Sequence, residues 1–566
     1  MQDIHEIANA LRETAQLLKV KGANKFKAKA YVTAAQVLDT TEEDIKALVD
    51  EERLTDLPGV GPAIAGFITD LYKTDETYLL KKLRRELPAG TAELSKVAGL
   101  TIKRIAKLSE ELKVTSIQEL EAACKAGQLA KIKGFGEQAQ NEILKAIQTL
   151  TEPSSETRLI KARAIGHDLL EHLQTLLPDH QIALAGNIRV WQETVNTIEI
   201  VTDAPKEAVE TCLHEINGVV KIKGHENSLL VSLAHGVPVQ VFCVSNFPLG
   251  LIAHTGDRKH FQQLKEHALA KNFLLDDSGL YKGQRKIVIT SESAVYEKLG
   301  LHFVPPELRQ GTNELEIAKT PDFNDLIKTE DICGMTHCHT TFSDGIHTVE
   351  EMARYAEKMG MKYVTITDHS PTASYAGGLT LDRLKEQWEE IDRVQEKVKI
   401  RILKGTECDI LSDGKLDYPD KILEQFDIII ASIHSRYRQG EEAMTRRLLN
   451  ALRNPFFKVW GHPLGRILLS RDPIPCNVRN VLHAITDARV AIEINGDPYR
   501  MDLPAQWAQL ASEIGFRFII STDAHSTGNY HNLKYGIHLA RQARIKKSAV
   551  LNATATDEFC SLVRPN

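Results

Sequence analysis

Six short apolar segments in the second half of the chain carry histidine, aspartate or glutamate at their ends, and no other feature limits the possible folds so strongly. Their β-branched residues favour strands, and helical patterns lie between them. Alternating strands and helices predict a (β/α) barrel, in which functional side chains gather at the carboxyl ends of the strands. The segments are 335–340, 363–370, 402–407, 426–435, 459–463 and 516–525.

The first of these segments holds a His-x-His pair, His337 and His339, which a strand would point to one face. By itself such a pair also fits buried histidines that are merely hydrogen-bonded. The other segments add imidazoles and carboxylates at the same end of the predicted barrel, and Asp344 follows the pair in a Ser-Asp-Gly turn. A mixed set of nitrogen and carboxylate ligands favours zinc, manganese or iron over calcium or magnesium. The sequence therefore predicts one shared metal site.

Residues 1 to about 150 show an almost wholly helical pattern, interrupted by a small glycine motif that occurs as LPGVG (57–61), VAGL (97–100) and IKGFG (132–136). Glycines let a backbone approach a phosphate closely, and the amides at the next helix N-terminus supply donors. Three helix C-caps would give a similar pattern, but basic residues cluster at 19–29 and around the second motif and favour contact with a DNA backbone. The predicted DNA contacts are Lys25, Lys27, Tyr31, Gly59, Gly61, Gly99, Lys103, Arg104, Gly134 and Gly136.

The overall charge limits where nucleic acid could bind. The formal net charge is −6, so a nucleic-acid surface must be local.

The eight cysteines show no CxxC pairing, which is typical of reduced cytosolic thiols. The N-terminal sequence predicts an amphipathic helix rather than a signal peptide, and no apolar run reaches membrane-spanning length. These observations predict a cytoplasmic protein without a membrane partner.

Two sets of motifs resemble known families. From about residue 331 onwards, the motifs HCH, SDG, TDHS, GTE, SIHS, GHP and DAH resemble a polymerase-and-histidinol-phosphatase (PHP) domain. Together with the hairpins, the stretch FKAKAY (26–31) and the phrase LGLHFVPPELRQG (299–311), they make the whole chain similar to the bacterial family X DNA polymerases that carry a C-terminal PHP domain. The resemblance implies a multidomain protein of α+β and α/β class. Its parts would be a helical helix-hairpin-helix N-terminal region, a polymerase-β-like palm and thumb, and a C-terminal distorted (β/α)7 PHP barrel.

The same resemblance implies domain boundaries. The expected order is a helical N-terminal DNA-binding domain at 1–85, a fingers-like helix-hairpin-helix domain at 86–150, a palm-like domain at 151–235, the end of the palm with a thumb-like domain at 236–316, a linker at 317–330, and the PHP phosphoesterase domain at 331–566.

The PHP resemblance also implies a cluster of two or three divalent ions, Mn²⁺ and/or Zn²⁺. Several ions close together favour phosphoester hydrolysis, because they lower the pKa of a water molecule and hold phosphate oxygens. Asp344 and Asp368 are the expected catalytic carboxylates, the second by orienting an imidazole. Arg466 is expected to grip a phosphate, a role that Arg436 or Arg438 could also fill. The nine expected ligands are His337, His339, Asp344, His369, Glu407, His434, His462, Asp523 and His525.

The palm-like segment departs from the family motif, which carries two carboxylates two residues apart on one strand and a third on a neighbouring strand. In the stretch GNIRVWQETVNTIE (186–199), Gly186, Arg189, Glu193 and Thr194 keep the register of the motif. Thr197 and Glu199 stand in place of the first two carboxylates, and Gln240 stands in place of the third. Neutral side chains cannot balance two divalent cations, so we expect neither Mg²⁺ at the palm nor templated nucleotide addition.

The expected function is that of a family X DNA polymerase/3′–5′ exonuclease in DNA repair, with the chemistry in the PHP domain and an inactive polymerase centre. Phe67 stands where lyase-active relatives carry a Schiff-base lysine, so 5′-lyase activity is not expected either. The expected partner is DNA that is single-stranded, gapped or ends in a free 3′ terminus, with abasic-site cleavage as a further activity, and the expected state is a monomer. Two alternatives stay open: an active polymerase that uses unusual metal ligands, and a PHP phosphoesterase that acts on a small phosphomonoester.

Overall fold

The computed structural model divides into two compact units, Met1–Ser154 and Ser155–Asn566. In the part of the chain that it describes, no helix combines the length and the apolarity needed to cross a bilayer. The described residues are 4–21, 25–40, 45–51, 53–57, 59–74, 77–88, 90–95, 97, 100–132, 134–151, 156–216, 218–233, 236–437, 439–488 and 490–565.

The regular elements described in the first unit are helices, as the apolar periodicity predicts. They are α1 Ile4–Val20, α2 Lys25–Thr40, α3 Ile45–Asp50, α4 Pro62–Thr74, α5 Tyr78–Glu86, α6 Thr91–Leu94, α7 Ile102–Glu111, α8 Ile117–Lys125 and α9 Gly136–Thr151. Apolar side chains at helical spacing in α1, such as Ile7 and Leu11, are fully buried. They belong to one core that ends at Leu83, and a separate core extends from Leu94 to Ile147.

The second unit begins with a five-stranded sheet and its helices. The strands of this part are β1 Thr157–Arg158, β2 Ile182–Ala185, β3 Thr194–Val195, β4 Ile198–Thr202, β5 Val219–Gly224, β6 Ser228–Leu233, β7 Val239–Cys243, β8 Leu274–Leu275, β9 Leu280–Lys282 and β10 Arg285–Ile287. The helices are α10 Leu159–Leu176, α11 Gly186–Arg189, α12 Lys206–Glu215, α13 Phe247–Ala253, α14 Arg258–Ala270, α15 Glu292–Lys298 and α16 Glu314–Ile317.

The main sheet of this part has the strand order β2-β4-β7-β6-β5. Strands β4 and β7 are parallel, and the other neighbours are antiparallel. Because side chains alternate along a strand, Ile198 and Ile200 of β4 pack into the core with Leu169 of α10, whereas Glu199 faces the opposite side. Strands β8, β9 and β10 form a smaller antiparallel sheet.

The remainder of the unit is a barrel of seven parallel strands in chain order. The strands are β11 Gly334–Met335, β12 Tyr363–Ile366, β13 Arg401–Asp409, β14 Ile428–Ser432, β15 Val459–Trp460, β16 Ala491–Asn495 and β17 Phe518–Ser521. The helices are α17 Val349–Lys358, α18 Leu381–Gln395, α19 Asp420–Leu423, α20 Glu441–Ala451, α21 Val478–Ala488, α22 Ala505–Ile514, α23 Leu533–Gln542 and α24 Thr556–Val563.

The barrel closes through the His-x-His segment. The amide of His339 donates to the carbonyl of Ala524 at 2.8 Å, and the amide of Ala524 donates to the carbonyl of His337 at 3.0 Å. Strand β11 is therefore shorter than the predicted strand at 335–340, because the residues after Met335 bond to the far side of the barrel. This closure places the first and last predicted ligands next to each other.

The segment at 317–330, expected to be a linker, is packed rather than extended. Phe323 and Leu326 are buried in one core with helices α13, α14 and α15. Just before it, Arg309 is 1 % exposed, and Glu307 lies 3.2 Å from Nδ1 of His538 on α23. This part of the chain therefore fixes the preceding helices on the barrel.

Candidate metal centre

All nine side chains that the sequence singled out as ligands meet at the carboxyl ends of the barrel strands. Eight of them form three overlapping groups, in each of which the donor atoms lie within 4.8 Å of one another. The ninth, His462, has Nε2 at 2.7 Å from Oε1 of Glu407. Strands β14 and β17 are buried along their whole length, and β13 is buried from Gly405 to its end, so the side chains at the strand ends face the interior of the barrel mouth.

The first group contains His337, His339, Glu407 and Asp523. Oδ1 of Asp523 lies 3.1 Å from Nε2 of His339 and 3.5 Å from Nε2 of His337. Oε2 of Glu407 lies 3.6 Å and 3.5 Å from the same two nitrogens. Asp523 has a φ of +50°, a strained conformation for a residue other than glycine, which costs about 1–3 kcal/mol and is found most often at functional sites.

The second group is built around Asp344, which the Ser-Asp-Gly turn presents. Its Oδ1 lies 3.3 Å from Nε2 of His525, 3.5 Å from Nε2 of His369 and 3.8 Å from Nδ1 of His339. The ring of His339 lies between this group and the first, with Nδ1 near Asp344 and Nε2 near Asp523, and as a neutral imidazole it can bind an ion through one of these nitrogens at a time. The two groups are therefore directly adjacent.

The third group is built around Glu407, which is 1 % exposed. Its Oε2 lies 3.0 Å from Nδ1 of His369, and its Oε1 lies 3.1 Å from Nε2 of His434 and 2.7 Å from Nε2 of His462. Oε2 also faces His337 and His339 of the first group, so this glutamate belongs to two of the candidate metal groups.

Several buried donor atoms in this cluster make no hydrogen bond. They are Nε2 of His337, both ring nitrogens of His339, Oδ1 of Asp344, Nδ1 of His369 and Oε2 of Glu407. Polar atoms that are buried without a partner are rare and destabilising. Each of these atoms belongs to one of the three groups. Imidazole nitrogens and carboxylate oxygens that lack other partners fit divalent ions such as Mn²⁺ and Zn²⁺.

The charges in the cluster shift the titration of its members in opposite directions. Although burial opposes ionisation, the surrounding histidines hold the pKa of Glu407 well below its usual range. Burial, together with His525 and His369, lowers the pKa of His339 to about 3, so that this ring is neutral at pH 7 and can act as a ligand. Against the effect of burial, Glu407 and Asp344 raise the pKa of His369 to about 10. A metal ion bound at His369 must displace that proton.

Two carboxylates that were not predicted from the sequence contact the outer nitrogens of the ligand histidines. Glu493 Oε1 lies 2.6 Å from Nδ1 of His337, and Asp409 Oδ1 lies 2.8 Å from Nδ1 of His434. Such partners fix the tautomer and the orientation of a metal-binding imidazole. The sequence held a signal for Asp409, which comes two residues after Glu407. Residues two apart on a strand point to the same face, so both carboxylates of β13 could be expected on the side of the cluster.

Asp368 contacts the loop that carries Asp344 and no imidazole, so its expected role is corrected. Its carboxylate accepts hydrogen bonds from the amide of Thr340 at 2.8 Å, the hydroxyl of Thr340 at 2.6 Å, the amide side chain of Gln387 at 2.5 Å and the hydroxyl of Ser343. Burial raises the pKa of Asp368. This carboxyl group holds the turn from which Asp344 reaches the cluster.

Arg466 does not point into the cluster, although a phosphate contact was expected of it. Its guanidinium forms a two-pronged ion pair with Glu193 at 2.6 and 2.8 Å and also donates to the carbonyl of Met501. These contacts occupy both Nη atoms of Arg466, while its Nε is buried without a hydrogen bond. The motif alone could not show this pairing. Arg436 is exposed, and Arg438 lies outside the described residues.

A different guanidinium, that of Arg500, lies beside the cluster. Its Nε is 3.3 Å from Oδ2 of Asp523, and its Nη1 is buried and makes no hydrogen bond. Burial alone would lower the pKa of Arg500, but Asp523, Asp497 and Glu407 raise it, so the group is a permanent cation. Arg500 is 17 % exposed and was not predicted from the sequence.

The carboxylate retained in the palm-like sheet is isolated. Glu199 of β4 is in register with Gln240 of β7, and Thr197 directly precedes β4. Burial raises the pKa of Glu199 to about 7, although Arg258 acts in the opposite direction. Gly186 has a φ of +56°, and a Cβ there would lie 2.6 Å from the carboxyl carbon of Glu199. Among the described residues, every candidate metal group lies in the barrel and none lies at this sheet.

Arg189, which keeps the register of the nucleotidyl-transfer motif, is already paired. Its Nη1 donates to Glu292 at 2.9 Å and to the hydroxyl of Thr255 at 3.0 Å. Glu292 also accepts a hydrogen bond from Arg309 at 2.7 Å. A guanidinium neutralised in this way offers little charge to a triphosphate.

Two of the three glycine motifs adopt the backbone expected of hairpins. Gly59 and Gly134 have φ values of +77° and +97°. Gly61 directly precedes α4, and Gly136 begins α9. In both motifs the apolar residue between the glycines is buried, which leaves the helix N-terminus and its amides at the surface.

The second motif differs from the other two. Gly99 lies outside the described residues. Thr101, which replaces the second glycine, caps α7 by accepting a hydrogen bond from the amide of Arg104 at 3.4 Å. The Arg104 side chain donates to the carbonyl of Gly134 at 3.5 Å, and Lys103 is exposed. Arg104 therefore joins the second motif to the third.

Tyr31, predicted as a DNA contact, is a core residue. It is 5 % exposed, and its ring lies edge-on against Phe67 with the centroids 5.2 Å apart. The apolar spacing in α2 that buries Tyr31 also leaves Lys27 exposed. Lys25 begins α2, and Phe67, where a Schiff-base lysine was considered, is buried in α4.

Four known domain families match this chain. A helix-hairpin-helix domain matches residues 3–77, a SAM-like helix-hairpin-helix tandem matches 89–149, a DNA polymerase beta thumb matches 250–310 and a PHP domain matches 336–496. Together with the seven-stranded parallel barrel, these matches confirm the predicted fold class.

The relatives differ in how much of the chain they cover. The DNA polymerase/3′-5′ exonuclease PolX of Bacillus subtilis (strain 168) is 32 % identical over 570 aligned residues, which cover 99 % of each protein. A probable phosphatase of Thermoanaerobacter sp. (strain X514) is 31 % identical over 229 residues, or 38 % of this chain and 89 % of the phosphatase. A probable phosphatase of Caldanaerobacter subterraneus subsp. tengcongensis is 30 % identical over 237 residues, or 39 % of this chain and 86 % of that protein.

Proposed function

This chain belongs to the family X DNA polymerases that carry a C-terminal PHP domain, and on that premise we propose that its barrel is a metal-dependent 3′–5′ exodeoxyribonuclease that acts in DNA repair. The proposed cofactors are two or three divalent ions, Mn²⁺ and/or Zn²⁺, held by the nine clustered residues. Cleavage at abasic sites is proposed as a further activity of the same centre, and the polymerase centre is proposed to be inactive. The expected monomeric state and cytoplasmic location stay predictions.

One observation supports the hydrolytic function above the others. Donor atoms from five regions of the sequence meet in three adjoining groups, and many of them are buried without another partner. Adjoining sites that share Glu407 suit the hydrolysis of a phosphoester, because one substrate phosphate can reach more than one site at a time.

Bound ions and several residues of the chain would have separate roles in the cleavage of a phosphodiester. Bound ions supply the activation of a water molecule and the hold on phosphate oxygens. Arg500 has an Nη1 that is free to donate a charge-assisted hydrogen bond to a phosphate oxygen beside Asp523. Glu493 and Asp409 keep the rings of His337 and His434 in the orientation that ligation requires.

The mouth of the site also carries an aromatic ring that fits nucleic acid. Tyr375 is 55 % exposed, and its ring centroid lies 6.2 Å from that of His369 and 6.4 Å from that of His434. An exposed ring in this position can stack on the base of a terminal nucleotide. This supports a DNA substrate over a small phosphomonoester without an aromatic group.

The second candidate is a phosphoesterase that acts on a small phosphomonoester. It is supported by the probable phosphatases of similar sequence, which align over most of their own length with about two fifths of this chain. The helix-hairpin-helix matches argue for DNA, since a small substrate needs no surface that follows a phosphate backbone. A third candidate, an active polymerase, is opposed by Thr197 and Gln240, which offer no carboxylate beside Glu199.

The candidates are separated by one set of assays on the full-length protein. Single-stranded and gapped DNA with a 5′ fluorophore are incubated with Mn²⁺, with and without deoxynucleotides, and p-nitrophenyl phosphate is tested in parallel. The variants are His339→Ala in the cluster and Glu199→Ala in the palm-like sheet. His214→Ala, at an exposed histidine outside the barrel, is the matched control.

We expect stepwise shortening of the labelled strand by the wild type, the Glu199 variant and the control, and none by the His339 variant. Extension of the primer by the wild type, lost in the Glu199 variant, would establish an active polymerase instead. Hydrolysis of p-nitrophenyl phosphate with no cleavage of DNA would favour the small phosphomonoester.

A further inference from the structure

A two-stranded sheet at the edge of the palm-like part lies against the mouth of the barrel. Strand β1 pairs with β3 so that Arg158 is opposite Thr194. The amide of Leu159 donates to the carbonyl of Glu193 at 3.1 Å. This pairing puts the side chains of Arg158 and Glu193 at the same edge, although neither belongs to the barrel.

Glu193 contacts the loop that follows the ligand His462. This loop, residues 464–471, is named the mouth loop. Both carboxylate oxygens of Glu193 accept hydrogen bonds from the Arg466 guanidinium, at 2.6 and 2.8 Å. The Arg466 side chain is 9 % exposed and that of Glu193 is 25 % exposed. A paired, planar contact of this kind fixes direction as well as distance.

Arg158 contacts the same loop farther along. Its Nε donates to the carbonyl of Leu468 at 2.8 Å, and its Nη2 donates to the hydroxyl of Ser470 at 2.6 Å. Its guanidinium also lies over the ring of Tyr499, 5.2 Å from the centroid. Arg158 therefore bridges the mouth loop and the neighbouring segment that carries Arg500.

The mouth loop is hydrogen-bonded to the segment that carries His462 and to the segment that carries Arg500. The amide of Gly465 donates to the carbonyl of His462 at 2.8 Å, and the amide of Leu468 donates to the carbonyl of Tyr499 at 2.8 Å. Arg466 also donates to the carbonyl of Met501, next to Arg500. The two contacts from the palm-like edge thus hold the segments that present His462 and Arg500.

We infer that Arg158 and Glu193 of the palm-like part are positioning residues of the phosphoesterase centre. By holding the mouth loop they set the orientation of His462 and Arg500, so this part of the chain serves hydrolysis after the loss of its own carboxylates. The inference rests on the proposed function, because it assigns the two residues to that same centre. It assigns them no contact with substrate.

Removing either contact should slow hydrolysis without weakening the association with DNA. In the full-length protein, Glu193→Ala and Arg158→Ala are each expected to lower kcat for DNA cleavage about 10- to 100-fold, because small displacements of catalytic groups have effects of this size. KM is expected to stay within about twofold of the wild type, since the helix-hairpin-helix motifs predicted to contact DNA are untouched. Glu171→Ala and Lys161→Ala, at exposed positions of α10, are the matched controls.

A second measurement needs no catalysis. Titration calorimetry of the DNA-free protein with Mn²⁺ should show about 10-fold weaker binding in the Glu193→Ala variant, the effect typical of losing a partner that orients a ligand. Glu193→Gln keeps one acceptor for Arg466 and is expected to restore part of the kcat. The double variant Glu193→Ala/Arg466→Ala should lose no more than Arg466→Ala alone, because Arg466→Ala already breaks the contact with Glu193.

The outcomes separate this inference from the proposed function. An active wild type, an inactive His339→Ala variant, and Glu193→Ala and Arg158→Ala variants that match their controls in kcat and Mn²⁺ affinity would overturn the inference alone. A fall in kcat that only follows a lower unfolding temperature, without a change in Mn²⁺ binding to the folded protein, would also overturn it. If the wild type cleaves no DNA, the proposed function fails, and weaker Mn²⁺ binding by Glu193→Ala still supports the positioning role.

Discussion

Glu493 lies on the far side of His337 from the metal cluster, with its Oε1 2.6 Å from Nδ1 of the ring. The same oxygen accepts a hydrogen bond from the hydroxyl of Ser521 at 2.6 Å, and the other oxygen accepts one from the amide of His462. One buried carboxylate therefore orients two of the residues proposed as ligands. The nearby histidines hold the pKa of Glu493 below its usual range despite its burial.

Replacing Glu493 with glutamine should therefore weaken metal binding. The amide has one oxygen, so it cannot accept from both His337 and His462, and its NH₂ group faces a donor. We expect Mn²⁺ affinity and DNA cleavage to fall about 10- to 100-fold. Calorimetry and the labelled-strand assay measure the two effects. Glu389→Gln, at an exposed position of α18, is the matched control. Wild-type affinity in the Glu493 variant would show that His337 needs no outer partner.

Tyr375 should influence which substrates bind and not the chemistry itself. If its exposed ring stacks on a base, Tyr375→Ala loses about 1–3 kcal/mol of binding, and KM for DNA rises about 5- to 100-fold while kcat changes little. Hydrolysis of bis-p-nitrophenyl phosphate should fall less than cleavage of DNA, and Tyr375→Phe should behave as the wild type. Equal losses on both phosphodiesters would indicate a structural role for the ring.

The barrel and its ligand cluster could be predicted because both rest on local patterns. Each ligand follows an apolar strand, and parallel strands in a barrel bring their carboxyl ends together whatever the details of packing. The few residues around His337 and His339 were enough to predict both a strand and candidate ligands near its end. The helices at the N-terminus were predictable in the same way, since an apolar stripe specifies a buried face.

The roles of Asp368 and Arg466 could not be predicted, because their partners lie far away in the sequence. Arg466 pairs with Glu193, 273 residues earlier, and Asp368 binds a turn that begins at Thr340. Charged residues next to a ligand look alike in a motif, whether they face the substrate or another part of the fold. Arg500 lacked a motif, and its proposed role rests on its position beside Asp523 together with its unpaired Nη1.

Glu307 should make the protein sensitive to acid. Although burial opposes ionisation, His538 and Arg541 lower the pKa of Glu307 to about 2. Since this value lies below that of an unfolded glutamate, the ionised group stabilises the fold above about pH 4.5 and loses its contribution as the pH falls towards 2. Glu307→Gln should therefore be about 1–3 kcal/mol less stable than the wild type at pH 7. The difference should shrink below pH 4.

This prediction is checked by chemical unfolding of metal-free protein at several pH values. Glu558→Gln, at an exposed position of α24, controls for the general effect of removing a negative charge. A Glu307 variant whose stability difference from the wild type does not change between pH 7 and pH 3 would contradict the prediction.

Glu199 should have the opposite effect on stability. Burial raises the pKa of Glu199 to about 7, above that of an unfolded glutamate. The folded state therefore binds more protons than the unfolded state between about pH 4.5 and 7, and the contribution of this residue to stability is lost as the pH rises through that window. Glu199→Gln stays neutral, so it should gain about 1–3 kcal/mol over the wild type by pH 8 and nothing at pH 4. The same unfolding measurements test this prediction, with Glu226→Gln as the exposed control. A gain in the free energy of unfolding that is equal at pH 4 and pH 8 would be due to packing and not to charge. If the gain grows with pH, the carboxyl group of Glu199 is partly protonated near neutrality. A protonated carboxyl group is a poor metal ligand, so this result would support the proposal that the palm-like sheet holds no Mg²⁺.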